Sequence, residues 1–186
     1  MMRQDPDIIF VGEIRDKDTA NMAVRSAMTG HQVYTTLHTN DAIGAISRLV
    51  DVGVTKQLLA GNLICIIAQR LTRKLCDHCK EEHIPSEKEC EILCVDPENP
   101  PKIYKKKGCK KCNGIGFKGR MAIQEILPID REIDEMIAAG ASRNEIFKYA
   151  RQHGMVPMVE DGLQKVLEGI TSLEELISQV NLIDRL

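Results

Sequence analysis

The stretch DIIFVGE, residues 7–13, decides the reading of this chain. Ile8, Ile9, Phe10 and Val11 form a short apolar run between Asp7 and Gly12, the pattern of a buried strand in a parallel sheet. The run delivers an acidic residue, Glu13, at its C-terminal end. In open α/β sheets the carboxyl ends of the strands are where ligands sit. An apolar strand ending in an acid is what a nucleotide-hydrolysing site uses to hold Mg2+ or orient a water, and such a site also needs a phosphate-cradling loop. No G-x-x-x-x-G-K-[ST] occurs anywhere in the 186 residues, so the sequence holds one half of a nucleotide site.

Outward from that strand the pattern alternates. Ala20, Ala23, Val24 and Ala27 recur at helical spacing, with Asp16 or Asp18 placed to cap and Gly30 to stop the helix. QVYTTLH, residues 32–38, is β-branched and aromatic enough for the next strand. Asn40 or Asp41 then caps a helix through Val50. Strand, helix, strand, helix is the order of a parallel sheet with crossover helices. A helix start at Thr55 leads into the run ending QRLTRKL, and GRMAIQEILPI at 119–129 is a second strand-like run, expected to lie antiparallel to the first. Between them, residues 76–118 read as an elaborated, loop-rich hairpin insertion marked by Pro85, Pro97, Pro100 and Pro101. Beyond Pro128 the chain turns helical in four segments: DREIDEMIAAG, SRNEIFKYARQHG, PMVEDGLQKVLEG and SLEELISQVN. Each begins on a capping-type residue or proline, and Ser172 with Glu175 has capping-box spacing.

Composition excludes several classes. A formal net charge of -2, from 25 basic and 27 acidic residues, gives no global attraction for nucleic acid or an anionic membrane. The longest apolar run, LICIIA at 63–68, is too short to span a bilayer, and the N-terminus lacks a signal-peptide layout, which indicates a cytosolic chain. Seven cysteines in that setting point to metal or free thiols rather than a disulfide framework.

Two C-x-x-C pairs, Cys76 with Cys79 and Cys109 with Cys112, are each able to grip one edge of a tetrahedral Zn2+. The 29 residues between the pairs are a long gap, but loop-closure cost grows only logarithmically with length. Redox thiols remain an alternative, as do His78 or the Cys90 and Cys94 pair as ligands. Cys65, inside an apolar run, reads as a core residue. Seven basic residues crowd residues 104–120, where a zinc tetrathiolate of net charge near -2 gives lysines a local reason. Gly114, Gly116 and Gly119 match G-x-G-x-x-G without a preceding strand, and read as turn residues. His31 precedes the second strand, where structural and ligand readings both stand. His38 leaves the sheet at the same edge as Glu13, ahead of a helix N-terminus suited to anions, and can donate to a terminal phosphate.

Taken together these residues point to a family. RQDPDIIFVGEIRD resembles the Walker B segment of the ATPases of type II secretion and type IV pilus assembly, and TGHQVYTTLHTNDA resembles their histidine box. AQRLTRKLC, CKKCNGIGFKGR and DGLQKVLEGITSLEEL are similar to the family's C-terminal pattern in the same order. The resemblance implies an α/β fold with a partial RecA-like parallel sheet and crossover helices, an inserted tetracysteine zinc module and a C-terminal helical subdomain. It makes Glu13 the catalytic glutamate acting on Mg2+ or its water, and His38 a γ-phosphate sensor. Arg15 and Asp16 fall in the same signature and, with His31, count among the nucleotide-binding residues. Cys76, Cys79, Cys109 and Cys112 match the family's metal motif, which the pilus retraction branch generally lacks. The implied cofactors are Zn2+ and, in the complete protein, Mg-ATP. The implied partners are five further copies in a homo-hexamer and an inner-membrane platform protein, with no nucleic acid. The implied location is cytoplasmic, peripheral to the inner membrane.

On this reading residues 1–75 are the second half of a RecA-like core, 76–118 the zinc-binding insertion, 119–129 a returning strand and 130–186 the helical subdomain. The family's N-terminal domains and phosphate loop precede the point at which this sequence begins. Met1 and Met2 stand where the family has apolar residues, so the start resembles an interior position of a longer sequence. Such a portion is expected to be inactive alone. A competing expectation is a zinc-stabilised interaction module that docks to a membrane platform protein and hydrolyses nothing.

Overall fold

The computed structural model describes residues 6–180, so Arg3, Gln4 and Asp5 of the Walker B-like segment lie outside the described residues. The chain divides into two compact units. One comprises the chain through Ala68 together with Ile126–Met155, and the other Gln69–Glu125 and the chain from Val156 onward.

In the first unit, β1 (Ile8–Val11) pairs in parallel with β2 (Gln32–Thr35), with Ile8 opposite Gln32 and Phe10 opposite Tyr34. The crossover is α1 (Lys17–Met28), and α2 (Ala42–Asp51) follows. Of the candidate caps the fold uses Asp16, which accepts from Thr19 N, and Asp41, which accepts from Gly44 N. A single-turn α3 (Lys56–Leu59), then α5 (Arg131–Ala139) and α6 (Arg143–Gln152) from later in the chain, complete the unit. Its core gathers Ala20, Ala23 and Val24 of α1, Ile43, Ile46 and Leu49 of α2, and Ile133, Ile137 and Ile146 of α5 and α6.

Two expectations fail at the opening strands. β2 ends at Thr35, three residues short of His38. β1 is buried on one face only: Val11 and Val33 pack on the helices, while Ile8, Phe10 and Tyr34 are 59%, 73% and 52% exposed. The cause is the two-residue period of a strand. Among the described residues the helices cover one side of the pair, so alternate side chains face outward.

Two long strands, β3 (Cys65–Leu75) and β6 (Phe117–Pro128), form a second two-stranded sheet. Ile129 N donates to Ile64 O at one end and Cys76 N to Gly116 O at the other, each at 2.9 Å, so the strands run antiparallel as expected. Cys65 is exposed rather than buried, because it stands on an outward position of β3.

The insertion in the second unit is more ordered than its prolines suggest. β4 (Glu81–His83) pairs antiparallel with β5 (Ile103–Lys105), and α4 (Glu87–Leu93) lies between them in sequence. The helix starts on a full capping box, Ser86 with Glu89, a signal already present in the sequence. Leu93 and Ile103 are buried.

The chain ends with α7 (Met158–Leu167) and α8 (Leu173–Gln179). These two pack so closely that a Cβ on Gly162 would sit 2.3 Å from Leu176 Cδ1, which explains a glycine in mid-helix. At the start of α8 only half of the expected capping box forms. Ser172 accepts from Glu175 N, but the buried Glu175 carboxylate instead receives Arg73 N at 3.2 Å and Arg73 Nε at 2.9 Å, with Arg73 Nη2 as a third donor. The Arg73 side chain hydrogen bonds hold the Glu175 carboxyl below the usual carboxylate range. Glu175→Ala is expected to lower the stability of this unit by roughly 2–3 kcal/mol, since it orphans an arginine that is only half exposed. Denaturant unfolding checks this, and a change under 0.5 kcal/mol would mean that solvent already satisfies Arg73.

Candidate functional site

Past β1 the chain stays beside β2. Ile14 N donates to Thr36 O at 3.1 Å, and Thr36 Oγ1 donates to Gly12 O at 2.6 Å. These two bonds bracket Glu13 and hold it at the C-terminal edge of the parallel pair. Its carboxylate is 20% exposed and lies between two groups that point into solvent. His38 Nε2 is 2.8 Å from Oε1, and Arg15 Nε and Nη2 are each 2.6 Å from Oε2. Thr36 is the residue that sequence reasoning missed. Its signal was present, since a hydroxyl at the end of one strand beside the turn of its neighbour is a ready partner for a free carbonyl.

Chemically this is a carboxylate held by backbone geometry and engaged by two exposed donors. Arg15 and His38 are 77% and 86% exposed at their side chains, so both are free to leave Glu13 for another anion. A carboxylate so released can hold a hydrated divalent cation or orient a water.

Asp16 and His31 serve local structure. Asp16 Oδ1 accepts from Thr19 N at 2.9 Å and Oδ2 from Thr19 Oγ1 at 3.0 Å, and these bonds hold its carboxyl below the usual range. His31 Nδ1 lies 3.0 Å from both Ser26 O and Thr29 Oγ1, fastening the end of α1 to the start of β2. Among the described residues, neither bonds to Glu13 or His38.

The second candidate site is in the other unit. The sulfurs of Cys76, Cys79, Cys109 and Cys112 all lie within 4.8 Å of one another. Individual pairs are 4.0 Å (Cys76 to Cys109), 3.8 Å (Cys79 to Cys112) and 3.8 Å (Cys109 to Cys112). A tetrahedron with metal–sulfur bonds of about 2.3 Å needs sulfurs about 3.8 Å apart, so the donor set fits a four-coordinate thiophilic ion. Cys109 N and Gly116 N donate to Cys112 Sγ at 3.1 and 3.2 Å, and these amides pull its thiol down to about 6. Burial dominates at Cys79 and pushes its thiol up, against the N–H of Gly108. The second knuckle closes tightly on itself: a Cβ on Gly108 would lie 2.4 Å from Gly114 O. Gly114 and Gly116 lie in the turn before β6, as expected, whereas Gly119 stands within β6; all three have positive φ.

Of the alternative ligands, His78 lies 3.3 Å from Lys111 Nζ, Cys90 Sγ donates to Pro85 O, and the exposed Cys94 donates to Glu91 O. Among the described residues the only cluster of ligand atoms that could hold a metal is the tetracysteine set. Three of the seven basic residues pair with acids: Lys105 with Glu89, Lys106 with Glu174 and Lys107 with Glu81. Among the described residues no helix is long and apolar enough to cross a membrane.

The chain is similar to several known proteins. The family model described as type II/IV secretion system protein matches residues 1–178. The chain is 46% identical over 178 residues to the type II secretion system protein E of Pseudomonas aeruginosa, covering 95% of this chain and 35% of that protein. It is 48% identical over 180 residues to the type IV pilus assembly ATPase PilB of Thermus thermophilus, covering 96% of this chain and 20% of that one. The chain thus spans about a third or less of the length of these relatives. Its α/β fold of helices and small sheets is similar to that of the solved ATPase DotB of Legionella pneumophila, with a TM-score of 0.63 at 24% identity over 95% of this chain and 39% of that one. DotB of Yersinia pseudotuberculosis gives 0.66 at 19% identity over 97% and 38%. With a family model matching almost end to end and close relatives in both the secretion and the pilus branches, the chain belongs to the type II/IV secretion system protein family.

Proposed function

We propose that the chain forms the C-terminal portion of a hexameric ATPase motor that powers type II protein secretion or type IV pilus assembly, and that β1 and β2 belong to a RecA-like sheet. The observation that supports this most directly is the Glu13 carboxylate, fixed at the carboxyl edge of two parallel strands and engaged by His38 and Arg15. In this reading Glu13 turns from those partners to Mg2+ or to the attacking water, and His38 donates to the γ-phosphate that displaces Glu13 from it. Arg15 adds a mobile positive charge beside the phosphates. Asp16 and His31 act from behind by fixing α1 and the start of β2. A phosphate-binding loop outside these residues completes the site.

The four cysteines hold Zn2+, which supplies a structural cross-link and no reaction step. Residues 1–75 then serve as the second half of the ATPase core, 76–118 as the zinc module, 119–129 as the returning strand and 130–186 as the helical subdomain. The complete motor works at the cytoplasmic face of the inner membrane on a platform protein.

Phosphoryl transfer depends on gripping the β and γ phosphates, and Glu13 and His38 cannot supply that grip. The chain by itself is therefore expected to show neither ATP turnover nor tight Mg-ATP binding. Titration calorimetry on the zinc-loaded chain, beside a longer form that includes a phosphate loop, is the test. Micromolar binding by the chain alone would place the phosphate site among these residues and favour a different mechanism. No binding by either form would favour the non-catalytic interaction module.

A further inference from the structure

The turn between α7 and α8 is fastened by residues that adjoin the cysteine ligands on both sides. Just before Cys76, Leu75 N donates to Ile170 O at 2.8 Å, and Thr171 Oγ1 donates to Arg73 O at 2.9 Å. Just after Cys79, Lys80 Nζ donates to Gly169 O at 2.9 Å while lying 4.8 Å from the centroid of the Tyr104 ring. That ring presses on the turn so closely that a Cβ on Gly169, whose φ is +68°, would meet Tyr104 Cδ2 at 2.4 Å. The turn is no loose surface loop, for Thr171 and Ser172 are buried.

Lys80 therefore does for α7 what a C-terminal cationic cap does. The last carbonyls of a helix lack intrahelical partners and carry partial negative charge, and an ammonium placed there satisfies both needs. Here the ammonium comes from the cysteine knuckle, far away in sequence. The knuckle is anchored at its start, where Cys76 N donates to Gly116 O. Within it, Cys79 N and Lys80 N both donate to Cys76 O, a single turn of backbone. Cys79 reaches the second knuckle through its sulfur, which receives Gly108 N at 3.3 Å and approaches Cys112 Sγ to 3.8 Å. Lys80 is also held by Asp77 at 3.4 Å and by the β4 pairing that starts at Glu81, and a metal bridging those sulfurs would add the cross-link that fixes Cys79 beside it.

We propose that metal occupancy at Cys76, Cys79, Cys109 and Cys112 sets the order of the α7–α8 turn, with Lys80 as the mechanical link. With a tetrahedral divalent ion bound, Lys80 is fixed over Tyr104 and caps Gly169. With the ion removed, the turn of residues 77–80 loosens, the cap is lost and residues 168–172 open locally. The inference rests on the zinc reading and adds a consequence to it: the metal module reports its state to the last two described helices.

Amide hydrogen exchange tests this on zinc-loaded protein, on protein stripped with a chelator, and on zinc-loaded Lys80→Met and Lys80→Arg, with zinc content measured in every sample. Local openings are resolved amide by amide in this way. Stripping is expected to speed exchange at residues 168–172 by about ten-fold or more beyond whatever rise the whole unit shares, with the middle of α7 showing the shared rise alone and α1 little change. Lys80→Met should reproduce the faster exchange while keeping its zinc, and Lys80→Arg should restore protection. Unchanged exchange at 168–172 on stripping would overturn the proposal, as would full protection in Lys80→Met. A rise at 168–172 no greater than that of the rest of the unit would also overturn it, because the metal would then support global stability with no directed link. Protein that binds no zinc would bring down the zinc reading and the link together, whereas zinc-bound protein with an indifferent turn would bring down the link alone.

Discussion

In a protein that carries this segment together with a phosphate-binding loop, Glu13→Gln is expected to lower ATP turnover by ~10²–10⁴-fold, the range for removing a positioned acid–base group. Nucleotide affinity should change little, because the grip on the phosphates comes from backbone amides and a lysine elsewhere. The physical basis is that glutamine keeps the size of Glu13 and leaves the Gly12 and Ile14 backbone bonds to Thr36 in place, but loses the charge that attracts a hydrated cation and the basicity that orients a water. The geometry also makes a secondary forecast. Arg15 and His38 both rest on Glu13 carboxylate oxygens, so in Glu13→Gln one of these donors faces the amide N–H2 and is released. Single-turnover kinetics beside equilibrium binding separate the two effects. Turnover within a few-fold of the parent would remove Glu13 from the chemistry, while a matching loss of affinity would recast it as a binding residue.

Removing the metal has the second large effect. Cys112→Ser, or stripping with a chelator, is expected to cost the second unit several kcal/mol, since structural zinc contributes apparent binding energies of roughly 10–16 kcal/mol at pH 7 in isolated fingers. The loss here is smaller than in such fingers because Leu93, Ile103 and Phe117 give the unit buried apolar side chains of its own. The sign with pH follows from competition. Zinc requires thiolates, so the stability it confers is present at neutral and higher pH and is lost as pH falls and protons displace the metal. The amides of Cys109 and Gly116 draw Cys112 down to about 6, which favours its thiolate as a ligand. Thermal melts with and without chelator, at pH 8 and at pH 5, provide the check. An indifferent melting temperature at pH 8 would show that the cysteines cluster without holding a structural ion. The first unit should melt unchanged, for its core of Ile14, Ile43, Leu59, Ile133 and Ile146 contains none of the four cysteines.

Much of this protein was determined by its sequence through short-range rules. The four-residue apolar run before Glu13, the helical spacing of Ala20, Ala23 and Val24, the caps at Asp16 and Asp41 and the Ser86 to Glu89 box are local patterns, because each is satisfied within one or two turns of chain. The two C-x-x-C pairs were legible for the same reason, each being a single turn that points two sulfurs one way. The tertiary structure alone decided the pairings that close over distance. Whether Ile8 and Phe10 are buried depends on what lies across the sheet, not on their own hydrophobicity. Cys65 sits in an apolar run yet faces outward, since strand parity is set by the partner strand. Glu175 left its capping box for Arg73, 102 residues away, because a buried carboxylate gains more from a charged, multidentate partner than from one backbone amide. Lys80 reaches Gly169 across 89 residues for a similar reason, and no spacing rule encodes it. Such contacts arise only after burial has lowered the local dielectric and made an unpaired charge or carbonyl costly, a condition that exists in the folded chain and nowhere in its sequence.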